Sequence, residues 1–307
     1  MSRSTISTFQ LFQMFPDTES ARVYLEKRLW PNGPKCPVCG LRERITTRRG
    51  GYYRCNQCKE DFTVRTGTIF ERSHVPLHKW LYAMYMLVTA RKGISSMQLA
   101  KELGVTQKSA WFVLHRIREA CGPSLKKLRG IIEIDETYVG GKEGNKHTEK
   151  KLNAGRGTVG KTPVLALRER GEDGLTVAMS MTSVNANTVQ EEIYNRVELG
   201  STIHTDESSV YVGLSHGFKH ESVNHSAREF TRGDVTTNGI ESFNALLKRG
   251  ILGVYHKTSK KHLPRYVNEF AFRLNEGNVR IHTTERLDSL VERTTGKRLT
   301  YKGLIHA

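Results

Sequence analysis

Ile131-Ile132-Glu133-Ile134-Asp135-Glu136-Thr137-Tyr138-Val139-Gly140-Gly141 reads as a strand with an aspartate near its carboxyl end and a glycine pair opening the loop beyond it. The β-branched Ile131, Ile132 and Ile134 favour extended backbone, and the apolar run is too short for a core helix. An acid emerging at that point suits phosphodiester chemistry, which asks for hard oxygen ligands around a hard cation. Taken alone, a strand-end aspartate is more often a turn residue or helix cap. Its weight comes from carboxylates further along the chain.

Downstream, TPVLALRERG (162–171) and GLTVAMSMT (174–182) read as two hairpin strands joined by the turn Arg170–Gly174. A helix is predicted over 187–198, with Val189, Ile193 and Val197 facing inward. A strand over 201–205 follows, with Asp206 at its end, then a short strand over 221–225. A helix over about 237–249 carries Glu241. Three strands, helix, strand, strand, helix is the layout of the RNase H-like fold, whose first and fourth strands lie side by side. Asp135 and Asp206 would then meet although they are 71 positions apart, and the 35-position step to Glu241 lets the last helix return a third acid.

Three convergent carboxylates suit two Mg2+ (or Mn2+) ions about 3.5–4 Å apart, which activate the attacking oxygen and stabilise the leaving one in an in-line displacement. Asp135 is expected to bridge both ions, with Asp206 on one and Glu241 on the other. Lys248 lies seven residues beyond Glu241, two turns on and on the same helix face, within reach of a phosphate. Tyr255 and His256, after a turn at Gly253, are expected to position the strand being cut. Glu133 shares the strand face of Asp135 and is a rival ligand. Glu136 and Glu207 read as surface or cap residues, and Asn238 as a helper or a cap. His204 and His225 read as structural histidines. No G-x4-G-K-[ST] loop is present, so nucleotide hydrolysis has no support.

Upstream, Cys36-x2-Cys39 and Cys55-x2-Cys58 are separated by fifteen residues. Two such knuckles place four thiolates around a structural Zn2+ with no open coordination position. Cys121 reads as a small buried hydrophobe. Before the ribbon, Asp17 caps a helix whose Ala21, Tyr24, Leu25 and Leu29 form one stripe. After it, Trp80, Met84 and Leu87 share a helix face. Ser96 then caps a helix to Leu103, Gly104 supplies a left-handed turn, and Thr106 caps a helix to Ala120. This helix-turn-helix outline has Ala100, Leu103, Val105, Ala110, Val113, Leu114 and Ile117 as its core, and puts Gln107, Lys108 and Ser109 where base edges are read. The segment 142–161, rich in Gly and Lys, is expected to be a basic loop able to lie along a phosphate backbone.

The 307 residues carry a net charge of +17, with a pI near 9.8 and 37% hydrophobic content, which points to globular domains with a polyanionic partner. The most apolar stretch, Trp80–Ala90, is too short to span a bilayer, and MSRSTISTFQLF lacks a signal-peptide layout, so a cytoplasmic, nucleoid-associated protein is expected. The expected organisation is an N-terminal helix and zinc ribbon (1–75), a helix-turn-helix segment (76–125), an α/β RNase H-like catalytic domain with a mixed sheet flanked by helices (126–285), and a C-terminal tail (286–307).

Several motifs together resemble the zinc-ribbon DDE transposases of small bacterial insertion sequences, the ISXO-type group. They include RLWPNGPKCPVCG, CNQCKEDFTVRTGTIFERSHVPLHKWLYAMY, GISSMQLAKELGV, IDETYVGGKEGNKH, HTDESSVY, VNHSAREFTRGDVTTNGIESFNALLKRGILGVYH and KHLPRYVNEFAFRLN. By motif, the family's acids fall on Asp135, Asp206 and Glu241, and its helix lysine on Lys248. Some relatives carry asparagine at the third acidic position, where this chain has Glu241. The resemblance implies binding to terminal inverted repeats, metal-dependent strand cleavage and joining of 3′ ends to target DNA. Two cuts and two joins argue for at least a homodimer on DNA. The rival expectations are a non-catalytic zinc-ribbon DNA-binding regulator and an RNase H-like nuclease that cuts without joining.

Overall fold

The computed structural model describes residues 5–123, 126–141, 143–152, 157–224, 227, 229, 231–276 and 281–306. Two compact units emerge, one from Met1–Cys121 with Glu276–Ala307 and the other from Gly122–Asn275. Among the described residues no helix is long and apolar enough to cross a membrane.

The first unit opens with α1 (Thr8–Met14) and α2 (Thr18–Leu29). Asp17 caps α2 by accepting the Ser20 N–H, and Ala21 and Leu25 are buried as the stripe requires. Three short antiparallel strands, β1 (Ile45–Thr47), β2 (Tyr53–Cys55) and β3 (Asp61–Phe62), build the ribbon, where Trp30, Tyr53 and Phe62 pack ring against ring. Then come α3 (Leu77–Thr89), α4 (Ser96–Leu103) and α5 (Gln107–Ala120). Gly104 takes the left-handed conformation (φ 61°) that lets α4 turn sharply into α5, a backbone state open to glycine at little cost. Thr106 caps α5 as expected, whereas the cap of α4 is Ser95, one residue earlier than predicted.

The second unit is a five-stranded mixed sheet of β4 (Ile131–Val139), β5 (Thr162–Glu169), β6 (Thr176–Ser180), β7 (Thr202–Thr205) and β8 (Lys219–Ser222), in the order β6-β5-β4-β7-β8. β4, β5 and β6 pair antiparallel, while β7 lies parallel to β4 and β8 parallel to β7. The parallel return needs a crossover, and α6 (Ala186–Arg196) provides it. A hairpin of β9 (Thr231–Arg232) and β10 (Val235–Thr236) leads into α7 (Asn238–Gly250), which runs on into a π-helical stretch, Ile251–Tyr255; α8 (Leu263–Asn275) completes the unit. This is the RNase H-like architecture. The strand predicted over 221–225 lies earlier, at Lys219–Ser222, and His225 is outside the described residues.

Alternation along the strands divides the core between the two faces of the sheet. Ile132, Ile134, Leu165, Leu167 and Ile203 face α6, where Val189, Ile193 and Val197 meet them. Val164, Ala166 and Val139 face α7 and α8, against Ile240, Phe243, Leu247, Val267 and Phe270. Glu133 and Asp135 fall in the second set, so the α7 face receives both acids. At the end of the chain, α9 (Thr283–Glu292) and α10 (Tyr301–His306) return to the first unit.

Ile203 is fully buried on β7, next to the strand that carries Asp135. Ile203→Ala should lower unfolding stability by about 2–4 kcal/mol through lost burial and a residual cavity, read as a fall in the midpoint of urea denaturation.

Candidate functional site: a carboxylate cluster on the central strands

β4 and β7 pair in parallel with Ile131 opposite Thr202, Ile132 opposite Ile203 and Glu133 opposite His204. Continued by two residues, that register sets Asp135 level with Asp206, which directly follows β7; Asp135, expected near the carboxyl end of its strand, lies instead at the middle of β4, because pairing with β5 carries that strand on to Val139. Asp206 accepts the Ser208 N–H at 3.0 Å, a local turn that fixes its carboxylate.

The third acid arrives on α7, and a buried carboxylate aims that helix. Glu133 is 4% exposed. Its Oε1 accepts Arg170 Nε and Nη2 at 3.2 and 3.0 Å, and its Oε2 accepts the Ile240 N–H at 3.0 Å. Ile240 is the third residue of α7, so Glu133 caps the helix from the neighbouring strand, where the helix dipole favours negative charge. Gly239 makes this approach possible: a Cβ there would lie 2.7 Å from Glu133 Oε2. Glu133 is therefore an anchor of α7 and not the rival ligand. His204, 2% exposed and 3.2 Å from Arg170 Nη2, belongs to the same structural network.

With α7 so placed, Glu241, Asn244 and Lys248 share one helix face. Glu241 Oε1 accepts the Thr237 hydroxyl at 2.9 Å, and Asn244 Nδ2 donates to Asp135 Oδ2 at 2.7 Å. Asn244 was missed in the sequence, although its position one turn after Glu241 and one before Lys248 is the signal that finds it. Asn238, the asparagine singled out instead, is exposed at the first turn of α7.

Burial pushes Asp135 up to about 6, and the charges of Asp206 and Glu241 add to the rise while the Asn244 amide opposes it. Asp135 thus senses both of the other acids. Glu136 departs from its expected surface role: it alternates to the α6 face and is partly buried, with Oε2 accepting the Tyr211 hydroxyl at 2.6 Å. Among the described residues its buried Oε1 has no hydrogen-bond partner. Burial raises Glu136 to about 7, with Asp206 and Asp135 contributing. Glu207 is exposed as expected. The donor set is hard oxygen throughout, the chemistry a divalent Mg2+ or Mn2+ prefers. Among the described residues, however, only the four cysteines bring three or more ligating atoms of any kind, imidazole nitrogen, thiol sulfur or carboxylate oxygen, within 4.8 Å of one another.

Beside the acids lies a cavity of about 700 Å³. Glu136, Tyr138, Lys161, Lys248 and His256 line it, together with the Gly140-Gly141 turn. Lys248 and His256 therefore open onto the same cleft. Tyr255 does not line it: its hydroxyl donates to Glu269 Oε1 at 2.7 Å and its ring packs against Tyr266. Gly253 does not turn the chain either, because it lies inside the π-helical stretch; the reversal comes at His256, which takes φ 58°.

In the first unit, Sγ of Cys36 and Cys58 are 3.5 Å apart and those of Cys39 and Cys55 3.6 Å apart. Four thiolates at about 2.3 Å from one tetrahedral zinc stand about 3.8 Å from each other, so the cluster fits the ion. The Cys58 N–H, seconded by that of Gln57, holds the Cys55 thiol down to about 6, favouring the ligating thiolate. At the head of α5, Gln107 Nε2 donates to Ser96 Oγ at 2.8 Å and Ser109 meets the Thr106 hydroxyl at 2.9 Å, while Lys108 is exposed.

A zinc ribbon joined to an RNase H-like domain with acids on its central strands and on a helix is the make-up of a transposase. Residues 127–275 match the ISXO2-like transposase domain and residues 16–61 the transposase zinc-ribbon domain. An uncharacterized protein in transposable element ISH50 of Halobacterium salinarum is 31% identical over 259 residues, 80% of this chain and 86% of its own length. The chain belongs to the ISXO2-like transposase family. A solved chain from the simian T-cell lymphotropic virus intasome in complex with PP2A regulatory subunit B56 gamma is 14% identical. The alignment covers 62% of this chain and 64% of that one at a TM-score of 0.28, too slight a likeness to inform the fold.

Two outcomes are expected. Gly239→Ala should press on the pinned Glu133 carboxylate and lower stability by about 1–3 kcal/mol, seen as a lower thermal midpoint. For Asp135 and Glu136 the ordinary values are 3.8 and 4.5 and the folded values about 6 and about 7. The folded chain thus keeps both protons to higher pH than the unfolded chain. The stability linked to them is fully present below about pH 4 and lost as the pH rises to about 7. Asp135→Asn, melted with chelator present, should therefore be more stable than the parent at pH 8 by about 1–3 kcal/mol, with the difference vanishing near pH 4.

Proposed function

We propose that the chain is a DNA transposase of the DDE type. It binds the terminal inverted repeats of its insertion sequence, hydrolyses the strand at the element end, and joins the freed 3′-hydroxyl to target DNA with no covalent protein intermediate. The observation that carries this reading is the register of β4 and β7, which levels Asp135 with Asp206 while Glu133 turns the Glu241 face of α7 toward them.

In this reading Asp135, Asp206 and Glu241 hold divalent Mg2+ (or Mn2+), two per site, which when bound would activate the attacking oxygen and stabilise the leaving one. Asn244 fixes the rotamer of Asp135, so that one carboxylate oxygen is committed and the other is left for ligation. Lys248 meets a phosphate from the rim of the cleft, and His256 and Lys161 line the same cavity for the strand to be cut. Tyr255 acts at one remove, by bracing the turn that ends in His256. The zinc ribbon is structural. Gln107, Lys108 and Ser109 at the head of α5 address the DNA, and recognition of two element ends calls for a homodimer or larger assembly. The charge of +17 suits such a polyanion.

With DNA from the flanks of the coding region, strand transfer should require Mg2+ and stop with chelator. Asp135→Ala should reduce transfer by at least about a thousandfold and leave end binding within about twofold in a gel-shift assay. Equal loss of binding and transfer would point to a regulator or to unfolding. A pre-cut end with a free 3′-hydroxyl that stays unjoined would point to a nuclease.

A further inference from the structure

The last segment of the chain lies along α5 as a strap. Thr295 bridges Thr68, with the Gly296 N–H donating to Gly67 O at 2.8 Å, which fastens its start. Lys297 Nζ then donates to Glu119 O at 2.9 Å, among the last carbonyls of α5, where a cation is favoured. Arg298 pairs with Glu71 at 3.1 Å. At the other end of α5, the Tyr301 ring meets Phe112 edge-on at 5.6 Å and lies 4.7 Å from Lys108 Nζ. Leu304 is fully buried and closes the attachment. From Glu119 back to Lys108 the strap covers twelve residues of helix, a rise of about 16 Å.

The strap's sequence, KRLTYKGLIH (297–306), contains four basic residues and no acid. Lys297 and Arg298 are engaged in fastening it. Lys302 and His306 are exposed, and their i,i+4 spacing puts them on one face of α10, next to the tyrosine that cradles Lys108. The anchoring contacts seat Tyr301 beside Lys108, and the exposed Lys302 is the next residue along α10. Exposed cations on α10 and at the head of α5 complement a polyanion.

We propose that the strap is part of the DNA-binding surface. Tyr301 orients Lys108, and Lys302 with His306 carries the basic head of α5 onto the phosphate backbone of the same duplex. This rests on the reading that α5 addresses DNA. The strap contributes sequence-independent affinity, because its exposed groups are suited to phosphates and not to base edges.

The test uses full-length, zinc-loaded protein and fluorescence anisotropy with two duplexes of equal length, one from the DNA flanking the coding region and one of mixed sequence, each over a salt series. Lys302→Ala should weaken binding to both by a similar ~3–10-fold and reduce the slope of log affinity against log salt by about one, with zinc content and melting unchanged. Lys108→Ala should weaken binding in parallel. If Lys302→Ala leaves affinity and slope as in the parent while Lys108→Ala weakens binding, the strap proposal is wrong and α5 keeps its role. If the chain binds DNA and neither substitution matters, the α5 reading fails and takes the strap with it.

Discussion

A single buried carboxylate sets the geometry of the second unit. Glu133 is shut away from solvent on the central strand, and an ionised group in that position is tolerated only when it is paired and hydrogen-bonded. Its partners come from three places: Arg170 just after β5, the Ile240 N–H in the first turn of α7, and, through Arg170, His204 on β7. Satisfying one charge therefore locks strand, hairpin and helix together. Gly239 is part of the lock, since only a residue without a Cβ leaves room for the carboxylate against the helix.

What the lock produces is a neighbourhood that works against stability. Asp135, Glu136, Asp206 and Glu241 are gathered around the middle of β4, and the two on β4 are raised well above ordinary carboxylate values by burial first, with Asp206 adding to both. A fold selected for stability alone would not concentrate acids there. The Asn244 amide and the Tyr211 hydroxyl each commit one oxygen of a carboxylate and hold it in a fixed orientation. Carboxylates perturbed in this way mark a candidate functional site.

The first unit meets a different difficulty. Its ribbon is built on three very short strands and a small aromatic cluster, too little apolar surface to be self-sufficient. Four cysteines compensate by taking a metal, and backbone N–H groups hold the Cys55 thiol in its ligating form. The returning chain adds cross-links of its own: Tyr24 hydrogen-bonds Asp288 on α9, and the segment after α9 pairs with residues 67–69 before running along α5. Residues distant in sequence thus brace the same helices that the ribbon precedes.

Much of this was legible in the chain itself because it rests on short-range rules. The cysteine spacing, the caps at Asp17 and Thr106, the left-handed turn at Gly104, and the alternation along β4 and β5 follow from local geometry, and the element order was enough to place Asp135 beside the strand that ends at Asp206. What stayed hidden depends on contacts across long separations. Glu133 and Asp135 look alike in sequence, and only the arrival of Arg170 and the α7 N-terminus makes one an anchor and leaves the other in the cluster. Glu136 reads as a surface acid until Tyr211 covers it, and the tail reads as featureless until it lies along α5. Local pattern determines which elements form and which face each side chain takes; the role of a charged group is decided by which distant partners share its low-dielectric surroundings, and that is a property of the tertiary structure alone.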